Sequence, residues 1–214
     1  MIQTILDTST FATAHLNMRF DEKLFNNSQP NTRICRVYIW ENPGITYSYR
    51  QQPTWPELEP FDISERITGG GVLFHSAGDV VFSVIAENTD PIFPKPLSQK
   101  MAVLTQWISE IFQDLGIKLQ STDEKSTDLN RVFCNTYPSR FELSYANQKI
   151  LAMTIRRFRQ QFMIQGLIHI ADNFAQFQLP QSWSPYLSEG IKDPSVSSVE
   201  VQNRLLQKLS KDTH

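Results

Sequence analysis

The sequence predicts an α+β fold: a mostly antiparallel mixed sheet with helices packed on it. Three observations predict it. Apolar runs rich in β-branched and aromatic residues outnumber the helical patterns. Several of these runs are joined by short turn-like segments. Three stretches, two of them at the ends of the chain, carry apolar residues at helical spacing. No repeat or low-complexity segment breaks the pattern, so one domain over residues 1–214 is expected.

The first helix is expected after the cap types Ser9-Thr10, with Leu16, Phe20 and Leu24 as its apolar stripe and Met18 and Phe25 beside it. Cys35-Arg36-Val37-Tyr38-Ile39-Trp40 reads as a strand, Asn42-Pro43-Gly44 as a turn, and Ile45 to Tyr49 as a second strand. Gln51 to Pro60 and Asp90 to Pro96, each with three prolines, read as loops. Between them, the runs around Ile67–Asp79 and Val80–Ala86 read as strands. Ser98 is the expected cap of a helix faced by Met101, Leu104, Ile108, Ile111, Phe112 and Leu115, with Gly116 ending it. Residues 121–131 are polar and expected to be mobile. Ala146-Asn147-Gln148 is a hairpin turn between extended segments, and Phe162 to Ile170 is a further strand. Ser197 and Glu200 stand at capping-box spacing before a helix with Val201, Leu205 and Leu209 on its core face.

Composition excludes several classes. The net charge is −2, which argues against a nucleic-acid-binding surface. No apolar run reaches the length of a membrane span, and the first residues lack a secretory pattern, so a cytoplasmic protein without membrane contact is expected. Two cysteines, Cys35 and Cys134, are too few and too far apart for a zinc motif and are expected to stay reduced; no metal site is expected from the protein's own ligands.

Four of the eight glycines fall between Gly69 and Gly78, flanked by apolar runs. Such crowding costs conformational entropy and needs a cause. It lets a backbone bend sharply, and it lets a phosphate or carboxylate approach peptide N–H groups, with Arg66 as a nearby cation. A ligand-free bulge fits the spacing equally well, and the triplet matches neither the Walker loop nor the dinucleotide fingerprint. By residue type alone, His75 and Asp79 read first as structural.

The run Arg66-Ile67-Thr68-Gly69-Gly70-Gly71-Val72-Leu73-Phe74-His75, followed by Gly78-Asp79 and Phe82-Ser83, resembles the signature of the lipoate–protein ligase and octanoyltransferase family. Asn17 to Glu22 resembles that family's first helix and Arg36 to Glu41 its following strand, so the resemblance spans roughly residues 10 to 170. It implies the catalytic fold shared with biotin–protein ligases. It implies a substrate-binding set of Arg66, Thr68, Gly69, Gly70, Gly71, His75 and Asp79.

Lys149, which alone would be a solvated hairpin lysine, is similar to the family lysine that contacts the acyl-adenylate. Arg156, Arg157 and Arg159 downstream read either as a solvated basic edge or as a site for a nucleotide phosphate or an acidic carrier domain. Cys134-Asn135-Thr136-Tyr137-Pro138-Ser139-Arg140-Phe141-Glu142-Leu143 resembles the segment bearing the nucleophile in the cysteine-dependent octanoyltransferases, whereas a buried cysteine is the plainer reading. Two departures stand out. Leu151-Ala152-Met153-Thr154-Ile155 replaces the family's small residues and glycine, which narrows the acyl slot or shifts the strand. Glu65 replaces a second arginine of many members.

The implied chemistry attaches a lipoyl or octanoyl group to the specific lysine of a lipoyl carrier domain. A free carboxylate is a poor electrophile and an amine with a reference pKa near ~10.4 is mostly protonated, so the acyl group must arrive activated. A ligase would use ATP and Mg²⁺ with lipoate or octanoate as substrate, through an acyl-adenylate. A transferase would take an octanoyl thioester from acyl carrier protein and need no cofactor. The implied acceptors are the carrier domains of 2-oxoacid dehydrogenases or the glycine-cleavage H protein. The chain is expected to end without the accessory domain of many ligases. A biotin–protein ligase and a non-enzymatic relative that binds lipoyl domains are the alternatives.

Overall fold

A computed structural model describes residues 2–49, 51, 53–121, 133 and 141–210. In chain order the elements are β1 (Gln3–Asp7), α1 (Ala14–Asn27), β2 (Thr32–Ile39), β3 (Gly44–Ser48), β4 (Asp62–Arg66), β5 (Leu73–His75) and β6 (Val80–Glu87). There follow α2 (Leu97–Asp114), β7 (Gln120–Ser121), β8 (Leu143–Tyr145), β9 (Gln148–Lys149), β10 (Leu151–Phe158), β11 (Gln161–Ile168), α3 (Asn173–Phe177) and α4 (Ser198–Ser210). The fold is α+β with mostly antiparallel pairing, as the strand-rich pattern predicts.

The main sheet has the order β1-β2-β6-β11-β10. Its inner strands are near-continuous apolar runs because both faces are covered; β6 is buried from Val80 to Ala86. Only the β1–β2 pair is parallel in this sheet. On one side Cys35, Val37, Phe82, Val84 and Ile164 pack with Leu104, Ile108, Ile111 and Phe112 of α2 and Val201, Leu205 and Leu209 of α4. On the other side Ala14 and Met18 of α1 pack with Tyr38, Trp40, Leu73, Val81, Ala152 and Leu167. A second sheet, β4-β3-β5, carries the glycine-rich segment, and a third, β7-β8-β9, contains the hairpin at Lys149.

Several expectations are corrected. Thr13, not Ser9 or Thr10, caps α1, its side chain accepting from the Leu16 N–H. The buried face of α1 is Ala14, Asn17, Met18, Asp21 and Phe25, while Leu16 lies exposed. Polar partners on the sheet make that face the inward one. Pro96 occupies the cap position of α2, with Ser98 in its first turn. Strands β1 and β4 went unread: β1 is short, and β4 follows a proline-rich stretch directly. The expected mobile segment falls mostly outside the described residues. The 146–148 turn forms with Ala146 and Asn147 both left-handed, and Glu200 N–H donates to Ser197 Oγ as the capping-box spacing predicts.

Candidate active site

Arg66 ends β4 and is almost wholly buried. Its Nη2 donates to the carbonyls of Gly69 (2.8 Å) and Gly71 (2.5 Å), and its Nη1 to Thr46 Oγ1 (3.2 Å). One guanidinium thus clamps the glycine bend from inside and ties it to β3. Gly70 has φ +92°, a conformation that excludes most side chains. A Cβ added at Gly69 meets nothing within 4 Å. Packing therefore does not demand glycine at 69, which leaves the backbone open to whatever approaches it.

The same polar chain continues to His75. Its Nε2 lies 2.8 Å from Thr46 Oγ1, and its ring stacks on Trp40 at a centroid distance of 4.2 Å. Burial, then His169 and the Arg66 charge, hold its pKa well below the usual value. The ring is neutral, and its Nδ1 is buried with no hydrogen-bond partner among the described residues. Asp79 is fully engaged. It accepts from the backbone N–H groups of Ser76 (2.8 Å), Ile170 (3.0 Å) and Ala171 (3.1 Å), and lies 3.3 Å from His169 Nδ1. It fastens the β5–β6 turn to the segment after β11.

Behind the bend lies a narrow slot. Met18, Leu73, Val81 and Leu167 form its apolar wall, and Arg66, His75, Thr154 and Gln165 its polar one. Its free volume of about 20 Å³ holds roughly one water. The floor is a buried network. Thr154 donates to Thr68 Oγ1 (2.9 Å), Thr68 to Gln165 Oε1 (2.6 Å), and Gln165 Nε2 to Asp21 Oδ2 (2.7 Å). Arg36 Nη1 reaches Asp21 Oδ1 at 2.7 Å, and Arg36 Nη2 reaches Asn17 Oδ1 at 2.6 Å. Sequence reading missed Asn17, Asp21, Arg36 and Gln165 as one unit. The available signal was an i, i+4 polar pair on a helix, matched by a lone arginine and a lone glutamine inside two apolar strands.

Outside the bend is a larger cavity of about 580 Å³, lined by Ser48, Tyr49, Gly69, Gly70, Arg156 and Arg157 among others. Arg156 donates to the Ile67 carbonyl at 2.9 Å and its guanidinium stands 5.4 Å from the centre of the Tyr49 ring.

The structure brings Arg66, Thr68, Gly69, Gly70, Gly71 and His75 together at this bend, with Asp79 on the turn below. Lys149 ends β9 in the third sheet, two residues before β10 of the main sheet begins. Its ammonium is 2.6 Å from Glu142 Oε2, and its carbonyl accepts from Ser188 Oγ at 3.4 Å. Cys134 lies outside the described residues. Its neighbour Phe133 bridges to Val72, the residue after the glycine triplet, and stacks on Tyr186 at 4.0 Å. Cys35 is core: burial pushes its thiol up to about 12, so it is no nucleophile near neutrality.

Residues 13–204 match the family model of the lipoyl protein ligase A/B catalytic domain. The chain is 23% identical over 117 residues to a probable lipoate-protein ligase A of Mycoplasma genitalium, covering 51% of this chain and 35% of that protein. It is 24% identical over 209 residues to the octanoyltransferase LipM of Anoxybacillus flavithermus, covering 88% and 74%. Among solved structures, a putative lipoate protein ligase from T. acidophilum superposes with a TM-score of 0.76 at 16% identity, covering 98% of this chain and 85% of that one. A lipoate-protein ligase A bound with ATP gives 0.77 at 17% identity, with the same coverage. Those likenesses establish the shared fold; the match over 13–204 goes further, and the chain belongs to the lipoyl protein ligase A/B catalytic domain family.

Proposed function

We propose that this protein attaches a lipoyl or octanoyl group to the specific lysine of a lipoyl carrier domain, through an activated acyl intermediate. The observation that carries the reading is the placement of the arginine-clamped bend. It separates an apolar-walled slot from a cavity with two arginines, as a molecule with a greasy tail and an anionic head requires. In this reading the slot walls part to admit the acyl chain past Leu73, Val81 and Leu167, since the 20 Å³ present holds about one water. Gly69 and Gly70 meet the activated head, and Arg156 and Arg157 offset its negative charge. Eight buried methylene-sized units at ~0.8 kcal/mol each would supply several kcal/mol of binding. Lys149 would oppose charge developing on the acyl carbonyl, and Cys134 would be the nucleophile of a thioester route. Both roles belong to the proposal.

The donor is ATP with lipoate or octanoate in a ligase, or octanoyl carrier protein in a transferase. Mg²⁺ finds no three-carboxylate or histidine cluster among the described residues. Asp79 and Asp21 already hold their own donors. In a ligase, Mg²⁺ would be held largely through the substrate's phosphates, with at most one or two carboxylates of the protein. Acceptors would be the lipoyl domains of 2-oxoacid dehydrogenases or the H protein of glycine cleavage. We propose further that residues 1–214 act as one catalytic unit in the cytoplasm. Among the described residues no helix is long and apolar enough to cross a membrane.

The 20 Å³ slot supports a second reading, a relative that binds lipoyl domains without transferring an acyl group. One experiment decides. The purified chain is incubated with an apo lipoyl domain and either octanoyl carrier protein or lipoate with ATP, and acceptor mass is measured. A gain only with the thioester identifies a transferase; a gain only with ATP identifies a ligase. Acceptor binding without any gain overturns acyl transfer in favour of the second reading. A gain with biotin and ATP on a biotin carrier domain would identify the biotin–protein ligase alternative. Full transferase activity in Cys134→Ser removes the cysteine from the mechanism, and normal turnover in Lys149→Ala removes the lysine.

A further inference from the structure

Strands β10 and β11 meet in a hairpin at the rim of the cavity of about 580 Å³ beside the glycine bend. Asn88 fixes its two-residue turn, Arg159-Gln160. The Asn88 backbone N–H donates to the Gln160 carbonyl (2.7 Å), and its Nδ2 donates to the Arg159 carbonyl (3.1 Å). Arg159 takes φ +54°, in the left-handed region that favours glycine. Glycine would suit the turn better, and arginine there works against the fold.

The side chains at this tip are bare. Phe158 is 46% exposed, and the Arg159 guanidinium stands 5.1 Å from the centre of its ring. Arg157 and Arg159 are both exposed, and neither makes an ion pair among the described residues. Tyr49, also largely exposed, lines the same cavity, and no acid is among its lining residues. Exposed aromatic rings set among arginines are the composition of protein-binding surfaces.

Position decides between a small ligand and a macromolecule. Phe158 lines the cavity, whereas Arg159 does not. A small ligand held in the cavity leaves Arg159 in water; a domain resting on the rim covers both residues. The positive rim selects an acidic surface. A domain whose lysine is to reach an activated head at Gly69 and Gly70 comes to rest on that rim.

We propose that the tip of the β10–β11 hairpin, Phe158 with Arg159, is the docking surface for the acceptor lipoyl domain. The ring packs on an apolar side chain of that domain, and the guanidinium pairs with a carboxylate near the target lysine. The proposal rests on the acyl-transfer reading only for the identity of the visiting domain.

The test is calorimetric binding of an apo lipoyl domain to the full chain, with no acyl donor present. Saturable binding is expected, and it should weaken as salt is added. Arg159→Gly suits the left-handed turn, so Tm should hold or rise while Kd increases about fivefold or more. Arg159→Glu and Phe158→Ser should each raise Kd about tenfold or more. Octanoyl carrier protein, titrated against the same variants, should show no matching loss. Absence of saturable binding, or an unchanged Kd in all three variants, overturns the proposal. So does a loss at least as large for octanoyl carrier protein, which would give the surface to the donor. Tip-dependent binding without a mass gain in the transfer assay refutes acyl transfer and leaves the docking surface standing.

Discussion

Gly166 faces Phe82 across the antiparallel β6–β11 pair, and the Phe82 ring lies folded over it. A Cβ built on Gly166 falls 2.1 Å from Cζ, 2.5 Å from Cε1 and 2.7 Å from Cε2 of that ring. Carbon atoms rest at ~3.5–4.0 Å, so in Gly166→Ala the ring must retreat by about 1.4 Å or more. Phe82 is fully buried in the core under α2 and α4, and protein interiors are close-packed. Overpacking of this kind costs ~1–3 kcal/mol, and the short contacts put the expectation at the upper end, about 3 kcal/mol. Urea unfolding measures it. The decisive comparison is a double-mutant cycle with Phe82→Leu, which removes the clashing ring edge. Phe82→Leu alone should cost ~1–2 kcal/mol through the lost packing. The two changes together should cost at least ~1 kcal/mol less than their sum. Additivity within ~0.5 kcal/mol, or a Gly166→Ala cost below that figure, would refute the argument that the glycine exists to seat the ring.

Asp21→Ala leaves the buried Arg36 guanidinium with only the longer carboxylate contact to Asp7 at 3.9 Å and should destabilise by about 3 kcal/mol, read by chemical denaturation. A cost under ~1 kcal/mol would mean that Arg36 finds another partner. Thr154→Ala removes a hydroxyl from the slot wall, and in the acyl-transfer assay it should raise turnover of octanoyl over butyryl donors; an unchanged ratio would show that Thr154 does not limit chain length. His75 is held neutral in the fold, its pKa lying below the usual 6.5. The unfolded chain therefore binds the proton first. Stability is full above about pH 6.5 and declines as pH falls below it, by at most ~1.4 kcal/mol per pH unit from this one group. His75→Asn should flatten the stability profile between pH 6.5 and 5, and an unaltered slope would assign that titration to another group.

How far the sequence disclosed this molecule depends on what each signal requires. Helix α4 was readable residue by residue because a capping box and a 3–4 apolar spacing are both local. The hairpin was readable from Asn147, a residue type that left-handed turns favour, although Ala146 shares that conformation without being such a type. Helix α1 was placed correctly in outline but with the wrong face inward. Its buried side carries Asn17 and Asp21, polar residues that go inside only because Arg36 and Gln165 arrive from strands far along the chain. Tertiary pairing of this kind leaves no periodic trace. The glycine bend was visible as a cluster, and Arg66 as its cation. That a guanidinium takes two carbonyls of the bend itself requires coordinates.

Strand β6 lies at the centre of the main sheet, between β2 from early in the chain and β11 from late in it. Its last neighbour ends only at Ile168. During synthesis, therefore, Val80 to Ala86 emerges from the ribosome with one edge satisfied and the other open until some eighty further residues have followed. A bare apolar edge of that duration invites association between nascent chains. Assembly of the sheet must wait for the second half of translation, so chaperone occupancy should peak on chains stalled between β6 and β11 and drop once β11 is clear.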